Sequence, residues 1–386
     1  MKMRRPAAGN EPPPLDRHSP RGRSALLIFA LTIALALAVW PHLIAKYPQS
    51  WDEVQYILGV REFDIEKHQP HPPGYYLHVK TAAVLNSLGL DERTSLIALS
   101  LAAGSILAAL IVWWAAEVGG EWIAVIAGLL TLTSPLIATA ATEGRTYATG
   151  ALGAAIVGYL SWRMLNGDRR MAPLSAIALG VTAGFRPTAA VFMAPLWLWA
   201  IFRQNRRGGF AWVAVASATT AAWVVPFLFQ VGGVAAWAAA SSHLGQVVAQ
   251  AAPVHGAPIG TLGGNPARIV TGLVLLLGVG WVGLPRALKA ASPELAQVTI
   301  LWCAPALLFF TLMHTGTPLY IVILAAPLTV FVSLGIKRAF LEGVALRGRV
   351  AVLAALVVIH GTLVYLGVVN QRETVDRKCE AIAEAL

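Results

Sequence analysis

The residue types able to do chemistry gather in a few short strings. Trp51-Asp52-Glu53-Val54-Gln55-Tyr56 sets two carboxylates side by side just after the first long apolar run, and His71-Pro72-Pro73-Gly74-Tyr75-Tyr76 follows in the same polar segment. A carboxylate pair there is either an anchor or a catalyst, because ionised carboxylates accept protons as general bases and also pair with arginines. Further along come Glu143-Gly144-Arg145-Thr146-Tyr147, the proline-broken Gly184-Phe185-Arg186-Pro187, and Met313-His314-Thr315-Gly316 followed by Pro318-Leu319-Tyr320. Each string alone also has a plainer role. Asp52 and Glu53 with Trp51 and Tyr56 fit a solvated turn in an interfacial aromatic belt. His71-Pro72-Pro73 fits a rigid entry to an interfacial helix, Arg145 fits a side chain snorkelling to lipid phosphates, and His314 fits a loop histidine. Arg186 is harder to dismiss, because the break around it frees backbone groups that need partners.

The elements that must position these strings are membrane spans. With 57% hydrophobic and only 12% charged residues among 386, and a mean hydropathy of +0.65, the chain is an all-α polytopic membrane protein and not a soluble domain. The net charge of +10 does not point to nucleic acid, since the basic residues form small clusters between apolar runs, the pattern that encodes topology. Cys303 lies in an apolar run and Cys379 in the polar tail, a spacing that suits neither a disulfide framework nor a thiolate metal site.

A hydrocarbon core about 30 Å thick needs roughly 20 apolar helical residues. About eleven runs answer, near residues 25-45, 96-116, 122-141, 147-165, 172-185, 188-202, 210-230, 268-284, 295-313, 318-336 and 350-369. The pair either side of Phe185-Arg186-Pro187 is short, and a broken or shallow hairpin is the alternative to two crossings. Residues 1-24 are expected to be a disordered cytoplasmic tail, 25-369 the transmembrane domain including a polar loop over 46-95, and 370-386 a short exoplasmic tail. The first run is expected to be a retained anchor, its long apolar stretch and long leading tail being unlike a cleaved signal peptide.

Orientation follows from Lys and Arg in short loops. Lys2, Arg4, Arg5, Arg17, Arg21 and Arg23 precede the first run, and Arg169, Arg170, Arg203, Arg206, Arg207, Arg286, Lys289, Lys337, Arg338, Arg347 and Arg349 fall in alternate loops, which are therefore cytoplasmic. The 46-95 loop, with seven acidic residues, the Thr142-Tyr147 turn, the 231-267 loop, the His314-Pro318 turn and the C-terminal tail are then exoplasmic. The Glu117-Glu121 turn is the exception, placed inside without a basic residue. On this scheme Asp52, Glu53, Glu143, Arg145, Arg186 and His314 all fall at exoplasmic span ends. Ionisable groups are costly in a membrane and usually line a cavity or sit near an interface, so one outward-facing polar site is expected to hold them.

The order of these strings resembles the GT-C class of integral-membrane glycosyltransferases. Within it the chain is most similar to family 39 and its bacterial relatives, the protein O-mannosyltransferases and lipid A aminoarabinose transferases, most clearly over residues 45 to 205. The resemblance implies a GT-C-like fold with short interfacial helices in the first exoplasmic loop. It also implies transfer of a monosaccharide from a polyprenyl-phosphate carrier to an exoplasmic acceptor hydroxyl, in what is expected to be a bacterial inner membrane. Asp52 matches the family's catalytic aspartate in position. Since a phosphate-linked sugar already has a good leaving group, one carboxylate acting as base suffices, and inversion is expected.

Arg186 stands where the family often has a lysine or other polar residue, and with Arg145 it is expected to meet the lipid phosphate, whose geometry suits a guanidinium fork. Glu53 is placed beside Asp52 as a second catalytic-site residue that orients the acceptor or pairs with an arginine. His71, Tyr75, Tyr147, His314 and Tyr320 are the remaining candidates for substrate contact. No metal site and no cofactor are expected, and the partners are the bilayer, the lipid-linked sugar and an acceptor glycan, lipid or protein. The chain ends soon after the last run, without a sizeable soluble C-terminal domain of the kind several relatives carry, and the 231-267 loop is expected to hold acceptor contacts or a mobile lid. The alternative is a transporter or flippase of lipid-linked saccharides, in which Asp52 is a charge partner. A third reading, a membrane scaffold without chemistry, leaves the clustering of charge unexplained.

Overall fold

The computed structural model describes residues 20-204, 206-250, 264-313 and 316-385, which are almost wholly helical and contain no β-strand. The expected 1-24 tail lies mostly outside them, as do residues 251-263 of the 231-267 loop, whose preceding part is a helix over Val234–Gln250. All eleven apolar runs are helical. Among the described residues seven segments are long and apolar enough to cross a membrane, or eight if the bent pair Glu121–Leu132 and Pro135–Thr142 is one span: Gly22–Leu43, Glu92–Gly119, Arg207–Gln230, Gly264–Ala290, Pro293–Leu312, Pro318–Leu341 and Leu346–Ala381. The protein is an integral membrane protein.

The other four runs depart from plain crossings for local reasons. Residues 121-142 form two helices bent by 60°, because Pro135 cannot continue the first and Ser134 caps the second by accepting from Ile137 N. Residues 147-165 form a helix rich in alanine and glycine that packs in the interior. The run at 172-185 is a helix of 14 residues, about 21 Å long at 1.5 Å per residue and so shorter than the hydrocarbon core. The helix after it begins at Pro187.

In chain order the helices used below are α1 (Pro20–Val39), α2 (Trp51–Arg61), α3 (Tyr76–Ser87), α4 (Glu92–Gly119), α5 (Glu121–Leu132), α6 (Pro135–Thr142), α7 (Tyr147–Leu165), α8 (Ala172–Phe185) and α9 (Pro187–Gln204). They are followed by α10 (Arg206–Gln230), α11 (Val234–Gln250), α12 (Gly264–Leu277), α13 (Leu284–Ala290), α14 (Pro293–Leu312), α15 (Ala325–Ile336), α16 (Leu346–Val364) and α17 (Asn370–Ala385). As expected, the first loop carries short helices, α2 and α3.

The core lies where α4, α7, α9, α14 and α15 meet, around Ile111, Trp114, Ala154, Met193, Trp302 and Val330. A bilayer gives helices no hydrophobic reason to associate, so small residues that admit close backbone approach set the contacts. Gly335 is one such position, since a Cβ there would lie 1.8 Å from Gly283 O. α1 belongs to the body, with Ala36 and Trp40 fully buried and Trp40 Nε1 donating to Leu132 O at 3.2 Å.

The polar clusters separate to two ends. At one, Arg163 pairs with Glu117 at 3.0 Å and Asp168 at 2.9 Å, and Lys337 donates to Gly119 O. This gives the base-free Glu117-Glu121 turn basic partners from neighbouring helices. At the other end, the 46-95 loop, the 143-147 turn, Arg186 and α17 meet.

Candidate active site

Asp52 and Glu53 open α2. Ser50 caps the helix by accepting from Glu53 N at 3.2 Å, and the two carboxylates in the first turn suit the positive end of its dipole. The adjacent side chains have different fates. Glu53 is fully buried, accepts from Gln49 N at 2.9 Å, and lies 3.5 Å from both Gly144 N and Arg93 Nε. Its burial holds the carboxyl above the usual carboxylate range, against the pull of the Gln49 amide. Asp52 is half-buried and has no hydrogen bond or ion pair among the described residues; it lines a small chamber of about 20 Å³.

That chamber is walled by Asp52, Tyr56, His71, Tyr75, Arg145, Thr146, Tyr147, Arg186 and Tyr320. Seven of the nine residues expected from sequence therefore converge on it. Glu53 is adjacent but does not line it, and His314 falls outside the described residues.

Arg186 arrives through the broken segment. α8 stops at Phe185, Arg186 is extended (φ −152°, ψ 97°) as a residue before proline prefers, and α9 starts at Pro187. The side chain crosses α7 where Gly150 leaves room, since a Cβ there would lie 2.5 Å from Arg186 Cδ. Its Nη1 donates to Thr146 Oγ1 at 2.6 Å, and the guanidinium lies 4.3 Å from the Tyr147 ring centre and 5.4 Å from that of Tyr320. Arg145 is ion-paired with Glu143, its Nε donating to Glu143 Oε2 at 2.7 Å, and stacks on Tyr147 from 4.9 Å.

The His71 to Tyr76 string makes the opposite wall. Tyr75 holds a left-handed backbone (φ 42°) at the start of α3, unusual for a bulky side chain and the kind of strain that functional sites retain. Its ring packs edge-on against Tyr56 and His71. His71 Nδ1 donates to Gln55 Oε1 at 2.7 Å, leaving Nε2 as the acceptor, and burial lowers its pKa, which favours the neutral ring. Behind Tyr56 lies His78, fully buried, with Nε2 3.4 Å from Gly144 O and Nδ1 3.3 Å from Thr149 Oγ1; burial lowers its pKa to about 4.

Arg145 also lines a second, larger cavity of about 270 Å³, together with Gln49, Ser50, Glu143, Thr317 and Arg372. Arg372 was not legible as a site residue. It sits on α17, donates to Leu43 O, and places Nη2 3.5 Å from Glu143 Oε1. The one sequence signal for it is that Arg372, Arg377 and Lys378 put positive charge in a tail that loop counting makes exoplasmic, contrary to the usual bias. Arg93, which bridges Glu53 to the carbonyls of residues 45 to 47, carried no signal at all.

No protein-family model and no curated protein sequence matches the chain. Two solved structures match its fold, both of ArnT from Cupriavidus metallidurans. The apo form superposes with a TM-score of 0.54 at 17% identity over 82% of this chain, and the form bound to undecaprenyl phosphate with a TM-score of 0.56 at 16% identity over 85%. The chain spans 60% and 63% of the length of those two structures. This chain shares the polytopic helical fold of those structures.

Proposed function

We propose that a chain with this fold is a glycosyltransferase that takes a monosaccharide from a polyprenyl-phosphate carrier and gives it to an acceptor hydroxyl with inversion. The observation that carries the reading is the small chamber in which an unpaired carboxylate, Asp52, stands among two arginines and an aromatic wall. The undecaprenyl phosphate bound to ArnT supports a lipid-phosphate donor.

In the proposed reaction the acceptor hydroxyl gives its proton to Asp52 while its oxygen bonds to the anomeric carbon. The bond from that carbon to the phosphate oxygen breaks, and the polyprenyl phosphate leaves with the electron pair. Charge gathers on the departing phosphate, where Arg186 and Arg145 supply fixed positive charge in a partly dry site. Both cations come from the chain, so the mechanism calls for no metal. Tyr56 and Tyr75 offer ring surface to the sugar, while Tyr147 and Tyr320 hold the arginines in place, and the 270 Å³ cavity beside Arg145 offers the sugar room. Glu53 orients: it ties Gln49 and the Gly144 turn to α2. A chamber of about 20 Å³ holds about one water, so substrate entry requires the chamber to widen.

We place the site on the exoplasmic face and the N-terminus in the cytoplasm. The separation of polar clusters to two ends supports the alternation of loops on which that assignment rests. Against the carrier alternative, the ionisable groups at the far end, Glu117, Arg163 and Asp168, are paired with one another in place of lining a path. The test is to offer purified protein a polyprenyl-phosphate-linked labelled sugar with envelope extract as acceptor. Acceptor-dependent release of polyprenyl phosphate supports a transferase; movement of the intact lipid-linked sugar across vesicles without release supports a carrier.

A further inference from the structure

Between the 3-10 turn Trp40–Leu43 and α2, residues 45 to 49 make no backbone–backbone hydrogen bond among the described residues. Residues 45 to 49 are irregular, and such backbone groups must find hydrogen bonds elsewhere. They find them on side chains remote in sequence. Arg93, on α4, takes the carbonyls of Ala45, Lys46 and Tyr47 at 2.8 to 3.2 Å. Asp376, on α17, takes the amides: Oδ2 accepts from Lys46 N at 3.0 Å, and Oδ1 from Tyr47 N at 3.2 Å and Gln49 Nε2 at 3.1 Å. Gln49 N then goes to Glu53, and Ser50 caps the helix that starts with Asp52.

The face of α17 that does this is a single stripe. Arg372, Asp376 and Glu380 stand four residues apart, so they project from one side of the helix. They meet Leu43 O and Glu143, the 46-49 segment, and Lys46 Nζ respectively. The last pair is exposed, with side chains 64% and 42% accessible, and an exposed pair contributes little. Of the Asp376 contacts, the one to Lys46 N is exposed too, while those to Tyr47 N and Gln49 Nε2 are partly buried.

We propose that α17 is a positioning element for the reaction, and that Asp376 is a positioning residue that sets Asp52 through the backbone of residues 46 to 49. The proposal rests on the reading of Asp52 as base. An irregular segment held by side chains takes its register from them, and Asp52 follows that segment by three residues. A shift of about 1 Å in a reacting group costs about 100-fold in rate, so a loosened 46-49 segment is felt in the chemical step even where folding and donor binding survive. The sequence offered no sign of this, because an aspartate in a polar C-terminal helix reads as a solvated charge.

The test uses the full-length protein in detergent. Asp376→Asn keeps one acceptor oxygen and turns an amide NH2 toward backbone donors. It is expected to lower kcat for transfer about 10- to 100-fold, to leave KM for the polyprenyl-phosphate sugar within about twofold, and to speed hydrogen exchange at the Lys46 and Tyr47 amides. Asp376→Glu is expected to recover part of the rate, and Glu380→Gln, which removes only the exposed pair, to change nothing. In an Asp52→Asn background, Asp376→Asn is expected to have no further effect, since it acts through a group already removed. Multiplying losses in the double variant, or a KM effect equal to the whole loss, would reduce Asp376 to a general structural role and overturn the proposal. Unchanged exchange at Lys46 and Tyr47 would overturn it whatever becomes of Asp52. Normal transfer by Asp52→Asn alone is the separate outcome that sinks the base assignment.

Discussion

Asp52 and Arg186 line the same chamber, yet no ion pair joins them among the described residues. Arg186 is engaged instead by the Thr146 hydroxyl and the faces of Tyr147 and Tyr320, and Asp52 by nothing closer than the charges around it. A direct salt bridge would tie up both groups. Held apart, the carboxylate keeps its lone pairs and the guanidinium keeps donors for an anion, which is what a displacement between an incoming hydroxyl and an outgoing phosphate needs at its two ends.

Arg186→Ala should weaken binding of a polyprenyl phosphate by about 10- to 100-fold, the range for losing a hydrogen bond to a charged group. Arg186→Lys should lose less, because charge is retained and only the fork is lost. Direct binding in detergent decides it. Equal affinity in wild type and Arg186→Ala would take Arg186 out of the site.

Gly150→Ala tests the route of that side chain without touching its chemistry. The added methyl meets Arg186 Cβ at 3.0 Å and Cδ at 2.5 Å, so the guanidinium must leave its place over Tyr147. Transfer should fall toward the level of Arg186→Ala, while alanine, a good helix former, leaves α7 intact. A near-normal rate with an unchanged melt would mean that the observed Arg186 position is not the working one.

His78 gives a pH dependence of stability. Its pKa, ordinarily 6.5, is lowered to about 4 by burial. The unfolded chain then binds a proton between those values when the folded chain does not, so the contribution is fully present above pH 6.5 and is lost as pH falls toward 4. At most about 3 kcal/mol is involved. Detergent melts at pH 7 and pH 4.5 should differ less in His78→Gln than in wild type. An equal drop in both would assign the acid sensitivity to other groups.

Much of the candidate site was legible because its residues break rules the sequence obeys elsewhere. Asp52, Arg145 and Arg186 are charges at span ends, and Arg186 also interrupts an apolar region before a proline. The polytopic helical class was legible from apolar runs alone, since each of them became helix. What could not be read were contacts made by remote backbone and by length. Arg93, Arg372 and Asp376 act on the carbonyls and amides of residues 43 to 47, and backbone groups leave no mark on sequence pattern. The bend at Pro135 and the short α8 show the same limit: composition marks a run as apolar, while the cap at Ser134 and the break at Arg186 decide whether it crosses.

Fusion reporters at the two ends test the topology. The N-terminus should report cytoplasmic and the C-terminus exoplasmic, the latter following also from the docking of α17 on the 46-49 segment. Reporters on the same side would require a different count of crossings, with the α8-α9 hairpin the first place to look.

The central claim is that Asp52 is the base, and its most direct test is transfer of labelled sugar from a polyprenyl-phosphate donor by Asp52→Asn in detergent, with a thermal melt and a donor-binding measurement on the same sample. Asparagine keeps the shape but cannot take a proton, so the rate should fall by about 10² to 10⁴-fold, the usual contribution of general base catalysis. Folding and donor affinity should hold. Glu53→Gln, which disturbs a buried tether and leaves the proton acceptor in place, should cost less. A folded Asp52→Asn protein that binds donor and transfers sugar at a near-normal rate would contradict the account.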